Sequence, residues 1–374
     1  MSNSFLHDGM LRLSIPGPSR DPSYYIADGN TVLLVDNTLF KVHRSILMKD
    51  KSAFETMFQL TNEADSASSD SGLGTPEGDG DHNPIRLQGD TAEDFRALLW
   101  ALYALPHELM LATSPDANST QLAGLARMSH KYQFRSIEMW VLTALHGYYS
   151  RPGAFENIPS TVLPSLSHSS PAAHNPPSLV QITELAALCE HQDLLDLAVA
   201  RWKRQIGLGK DLALAIEIGE RLSLRPILGL AYHAMMLKGK AHWEAESLSR
   251  EQRVRLLNGY YALTKMWEVL PSQPPILAHS GRCPSNQRCS KAFGQLWKYV
   301  VDMAGMHPGL QKEDVLNKFN MMEGYVKALV AEREGQAPGE QDGIPNCRES
   351  AVLVTAHKVR EFRDTLTDYF SEDF

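Results

Sequence analysis

The sequence predicts an α+β chain: a short β-sheet capped by helices, followed by a mostly α-helical C-terminal region. Three observations carry this. A pair of apolar, β-branched runs brackets a two-residue turn near the N-terminus, at Thr31 to Val35 and Thr38 to Val42. Apolar residues then recur at helical spacing through most of the chain. Two stretches rich in Pro and Ser or Gly, residues 151–178 and 334–345, interrupt that pattern. The chain has 374 residues, enough for two or three domains, and 43% of them are apolar, enough to bury a core.

Residues 1–23 are rich in Ser, Pro and Gly and are expected to form a flexible N-terminal arm. Asp36 and Asn37 supply the turn of the expected hairpin. Two short helices follow, at Arg44 to Met48 and Ser52 to Phe58, the second placing Phe54, Met57 and Phe58 on one face. Residues 61–83 carry Glu63, Asp65, Asp70, Glu77, Asp79 and Asp81, with no Lys or Arg. Such a segment buries too little apolar surface to offset its ordering entropy, so a disordered acidic insert is expected there. Pro84 to Leu87 reads as a strand. Asp90, with Glu93 three residues on, reads as the N-cap of a helix bearing Phe95, Leu98, Leu99 and Leu102, which Pro106 ends. Two more helices run from Leu122 to about Tyr149. Residues 151–178 read as a linker, and 179–374 as a helical region with a Pro-rich break at Pro271–Pro275.

A helix, a short polar break and a second helix recur at Leu122–Leu145, Thr183–Ile206 and Leu212–Met235. Met128 with Ile137, Cys189 with Ala198, and Ile218 with Ile227 hold the same offset across the three breaks. Repeated helical hairpins bury matching faces.

Thr38-Leu-Phe-Lys-Val-His-Arg-Ser-Ile-Leu47, followed by Lys51-Ser-Ala-Phe54, resembles the BTB/POZ family, in which an apolar-His-basic group leads to Leu and then Ser-x-Phe. Gly89-Asp-Thr-Ala-Glu-Asp-Phe95, running on to Tyr103, is similar to fungal members in particular. The resemblance covers about a third of the chain, residues 24–150, and implies a protein–protein interaction domain rather than an enzyme. The sequence departs from the family where Asn30 and Thr31 stand in place of the usual Asp-Val, with Asp28 out of register. Pro16, Pro18 and Pro22 disfavour the helix that many members use to dimerise.

Net charge of -8 and a pI near 6.0 argue against a general nucleic-acid binder. No run is long and apolar enough for a membrane span, and residues 1–13 lack a secretory pattern. Four cysteines, Cys189, Cys283, Cys289 and Cys347, make no disulfide framework, and a reducing compartment, cytoplasm or nucleus, is expected. His279, Cys283 and Cys289, with Cys347 far along the chain, read either as unrelated thiols or as ligands of a structural zinc. No other cofactor is expected.

Other residues read as structural. His43 and Arg44 fix a turn. Arg201, Lys203 and Arg204 around Trp202 read as a solvated helix face. Tyr260 and Trp267, two turns apart, read as a core stripe, with Tyr261 beside them. His107-Glu108 lacks the second His of a zinc-protease helix, and Gly207 to Lys210 lacks the length of a phosphate loop. The function expected is that of an adaptor or scaffold, joining a target to a cullin-type ubiquitin ligase. The alternatives are a self-associating, homodimeric nuclear regulator that recruits other proteins, or an enzyme with its site in the helical half.

Overall fold

The computed structural model describes residues 17–67, 77–156, 158–161, 176–332 and 347–371; side chains are described except at 61–67 and 332. The chain divides into two compact units, residues 1–198 and 199–374. Among the described residues, no helix is long and apolar enough to cross a membrane.

The first unit is α+β. Strands β1 (Ser19–Tyr25), β2 (Thr31–Val35), β3 (Thr38–Val42) and β4 (Ile85–Leu87) form one sheet in the order β1-β3-β2-β4. β2 and β3 pair antiparallel, from Thr31 opposite Val42 to Val35 opposite Thr38. The two-residue turn between them relies on Asp36, which takes a φ of 54°. β4 runs parallel to β2, and β1 parallel to β3. Alternation along β2 sends Leu33 and Val35 into the main core, while Val32 and Leu34 join Leu39 in a small cluster on the other face.

β1 corrects the expectation of a loose arm over 1–23, since it begins at Ser19. The local composition hides it: Pro22 lowers strand propensity and is tolerated on a sheet edge. The buried Asp21 holds it in place. Its carboxylate accepts from the Ser23 and Tyr24 amides at 3.0 and 2.8 Å and from Arg96 Nε at 2.6 Å.

Helices α1 (Arg44–Leu47) and α2 (Ala53–Ala67) follow the hairpin. Between them the Ser52 hydroxyl donates to the Leu47 carbonyl at 2.5 Å. Phe54 stacks on Tyr132 with centroids 4.5 Å apart. Residues 61–67 continue α2, and 77–83 are tied in by Gly78 and by Asp81, which accepts from Arg20 and Tyr25. The expected disordered insert over 61–83 is therefore ordered at both ends; residues 68–76 lie outside the described residues.

Helix α3 (Ala92–Tyr103) carries the predicted stripe into the core, with Phe95 edge-on to Phe40 at 4.9 Å. Its cap is Thr91, whose hydroxyl accepts from the Asp94 amide, and not Asp90. Asp90 is instead drawn into tertiary bonds with Lys131 Nζ (2.7 Å) and the Tyr132 hydroxyl (2.6 Å). The chain leaves α3 at Ala104, and Pro106 opens helix α4 (Pro106–Leu111).

Then come α5 (Ser119–Lys131), α6 (Arg135–Tyr149), α7 (Leu179–Leu188) and α8 (Gln192–Gly207). Ile182, Leu185, Ala186 and Leu194 join the first unit's core, so this unit extends past the expected boundary at 150 and its end falls within α8. Of the predicted linker 151–178, Phe155 packs on Tyr149 at 4.7 Å and Ile158 is buried; residues 157 and 162–175 lie outside the described residues.

The second unit is helical: α9 (Leu212–Arg221), α10 (Arg225–Lys238), α11 (Lys240–Ala245), α12 (Arg250–Val269), α13 (Asn286–Gly305), α14 (Val315–Glu332) and α15 (Arg348–Thr365), with 3-10 turns at Leu270–Ser272 and Leu366–Phe370. Phe370 stacks on Tyr232 at 5.3 Å, and this close approach to α12 requires Gly259, because a β-carbon there would overlap the Phe370 ring.

The repeat is present in the backbone. The pairs α5/α6, α7/α8 and α9/α10 are each joined by one left-handed residue, Gln133 (φ 61°), Glu190 (52°) or Ser223 (54°). In each, the next amide bonds back five residues, Phe134 to Ser129, His191 to Ala186 and Leu224 to Gly219, at 2.8–2.9 Å. This is a Schellman end followed at once by a new helix. The common geometry corrects the register in the second hairpin. Leu185 and Leu194, both buried, correspond to Ile218 and Ile227, four residues before Cys189 and Ala198.

Candidate functional site

The four residues singled out for a metal come together. Their possible ligand atoms, one each from His279, Cys283, Cys289 and Cys347, all lie within 4.8 Å of one another. The local sequence explains how. The Trp297 indole, on α13, donates to the Leu270 carbonyl at 2.8 Å and anchors the chain as it leaves α12. The Pro-rich segment then runs without regular structure, pinned by buried Leu277, and delivers His279 and Cys283. Ser285 caps α13 by accepting from the Arg288 amide, which puts Cys289 in the first turn of that helix. Cys347 is the N-cap residue of α15.

His279 Nδ1 stands 3.7 Å from Cys283 Sγ and 3.7 Å from Cys347 Sγ. Its other nitrogen, Nε2, faces the Ser290 hydroxyl at 3.0 Å. The Ser280 amide donates to Cys347 Sγ at 3.5 Å. Cys289 and Cys347 are buried, and His279 and Cys283 half-buried. Burial, reinforced by Cys347, pushes the Cys289 thiol up to about 12. Burial also raises Cys347, but hydrogen bonds from the Ser280 amide, His279 and the neighbouring thiols outweigh it and bring Cys347 down to about 7.

A second group, His130, Glu138 and Cys189, was not foreseen as a set because its members come from three helices. His130 Nδ1 and Glu138 Oε1 are 2.7 Å apart, a direct hydrogen bond. Two ligands of one tetrahedral zinc would stand about 3.3 Å apart. The pair bonds to itself, and burial next to Glu138 pushes the Cys189 thiol up to about 12.

In the first unit, the feature that sequence reasoning missed is a surface. None of the residues of α4 is buried, and Leu105, Met110 and Leu111 are 67%, 70% and 55% exposed. The helix is held by Pro106 at its first position and by Glu108, whose carboxylate accepts from the Leu105 amide at 2.7 Å. A cleft of about 260 Å³ is lined by Tyr24, Glu93, Arg96, Trp100 and Gln121. The spacing of Leu105, Met110 and Leu111 was readable, but their exposure depends on which way α4 faces.

His43 is placed as expected. Its backbone amide donates to the Tyr103 hydroxyl at 3.1 Å, its Nδ1 meets the same hydroxyl at 3.0 Å, and its Nε2 stands 3.5 Å from Asp28. Arg44 lies over the Phe58 ring at 4.7 Å. Two expectations are corrected. Trp202 is fully buried, so only its neighbours, exposed Lys203 and Arg204 and half-buried Arg201, face outward. Tyr260 and Tyr261 are exposed, and Trp267 is half-buried, edge-on to Phe319 at 5.8 Å, so no core stripe forms there. Trp267 lies near the C-terminal end of α12, where Lys318 of α14 also stands over its ring at 5.1 Å.

Compared with protein-family models, curated proteins and solved structures, the chain matches none.

Proposed function

We propose that this chain is a non-enzymatic protein–protein interaction protein, an adaptor or scaffold whose first unit acts in the BTB/POZ manner. The observation that carries the reading is α4, a helix that leaves Leu105, Met110 and Leu111 to solvent while burying none of its own residues. Exposed apolar side chains grouped on a short, firmly capped element suit a partner chain, because covering them removes apolar surface from water at little ordering cost. The β2–β3 hairpin, the short helices after it and the parallel β4 before α3 support the family resemblance of the first unit. The partner proposed is a cullin-type ubiquitin ligase scaffold, with the helical second unit positioning a target.

Size exclusion with light scattering, on full-length protein alone and mixed with a cullin scaffold, tests this. The expected result is a joint peak that Met110→Glu with Leu111→Glu abolishes without altering the circular dichroism. A charged group in a buried interface costs roughly 2–4 kcal/mol, a loss of about 30-fold or more in affinity. No joint peak, or a joint peak indifferent to these substitutions, refutes the adaptor reading at this surface. A dimeric mass for the protein alone would favour the self-associating regulator.

A further inference from the structure

We infer that His279, Cys283, Cys289 and Cys347 form a closed, mononuclear zinc site that ties the loop after α12 and the N-termini of α13 and α15 together. The spacing of the donor atoms fits one ion. A tetrahedral zinc with Zn–S near 2.3 Å and Zn–N near 2.0–2.1 Å places its sulfurs about 3.8 Å apart and each sulfur about 3.6 Å from the nitrogen. Two of the three nitrogen–sulfur separations, to Cys283 and Cys347, are 3.7 Å, and all four donor atoms fall within 4.8 Å. This spacing suits a single ion; an iron–sulfur cluster, whose ligands attach to different irons, would need donors spread farther apart.

The groups around the donors fit a metal as well. A metal-bound histidine has its other ring nitrogen held by a neighbour, which selects the tautomer that presents the correct lone pair. Ser290 occupies that place at His279 Nε2, and it follows Cys289 on the same helix. A bound thiolate also gains from amide donors, and the Ser280 amide points at Cys347 Sγ. Ser280 follows His279 directly, so one short loop supplies a ligand and supports another.

The donor set decides the ion and its role. Three thiolates and an imidazole are soft and borderline donors of the kind that select zinc, and none of hard-cation chemistry's oxygens is present in the set. Four protein donors leave no position for water or substrate, so the site is structural. Three separate chain segments meet there: the loop at 279–283, the start of α13 and the start of α15. Metal binding therefore closes a long-range contact. Each bound thiol releases a proton as zinc enters, so loading favours neutral over acidic pH.

The test uses full-length protein purified under reducing conditions without added chelator. Elemental analysis should find about one zinc per chain, and Cys289→Ser should lose it. Cys189→Ser, which alters a thiol outside the site, should keep it. Should the Cys289 variant fail to fold, the wild-type protein still decides the matter. After zinc is removed with a strong chelator, cobalt should give the intense visible bands of a tetrahedral ion together with thiolate charge-transfer absorption, and zinc should bleach them. Less than about half an equivalent of zinc, or cobalt spectra of an octahedral ion, would overturn the assignment. So would a Cys289→Ser protein carrying as much zinc as wild type.

Discussion

Lowering the pH should destabilise the second unit, and one identifiable contributor is His233. It lies on α10, 3% exposed, and its Nε2 has no hydrogen-bond partner. The nearest carboxylate, Asp314, stands 3.8 Å away and is already engaged by the Asn317 amide and side chain. Burial outweighs that carboxylate and holds the imidazole down to about 4, from 6.5 for a free histidine. The unfolded chain therefore takes up a proton first as pH falls. Stability is complete above about 6.5, is lost between about 6.5 and 4, and changes no further from this source below that. At about 1.4 kcal/mol per pKa unit, the full loss is about 3 kcal/mol, most of it gone by about pH 4.5. The assay is guanidinium unfolding of wild type and His233→Leu near pH 7 and near pH 4.5. Both proteins share every other acid-sensitive group, including the cysteine cluster, so the difference in their pH response isolates the imidazole. The variant should lose about 2–3 kcal/mol less on acidification. Equal losses, within about 0.5 kcal/mol, would refute the reasoning, because they would mean that His233 protonates in the folded chain as readily as in water.

Two further predictions concern the strand and the helix breaks. Asp21→Ala should destabilise the first unit by about 2–4 kcal/mol, since it strips two amides and Arg96 of one buried acceptor. Thermal unfolding checks this, and hydrogen exchange should show β1 opening first. Glu190→Gly and Ser223→Gly should each stabilise by about 0.5–1 kcal/mol. Relief of the left-handed conformation, about 1–2 kcal/mol, exceeds the added entropy cost of glycine. A shift of the unfolding midpoint to lower denaturant in both variants would contradict the common geometry assigned to these breaks.

What could be read from the sequence is what neighbouring residues decide among themselves. The β2–β3 hairpin was placed to the residue, because a two-residue turn between β-branched runs leaves one register that buries Leu33 and Val35. The α3 stripe and the helical hairpins followed from periodicity. The four candidate metal ligands were recognisable by type, since His and Cys in a Pro-rich loop are few enough to enumerate. Whether they meet was not readable, as Cys347 joins the set across more than sixty residues. The misreadings share that cause. β1 is held by pairing with β3 and by Asp21 meeting Arg96, 75 positions away. Thr91 rather than Asp90 caps α3 because Lys131 and Tyr132 take the Asp90 carboxylate. The exposure of α4 and Tyr260 and the burial of Trp202 and His233 depend on which helix faces are covered. Local sequence sets backbone propensity and the spacing of apolar side chains. Long-range pairing decides which polar group gains a partner, and burial decides which titratable group loses its water; both depend on positions that only the folded chain brings together.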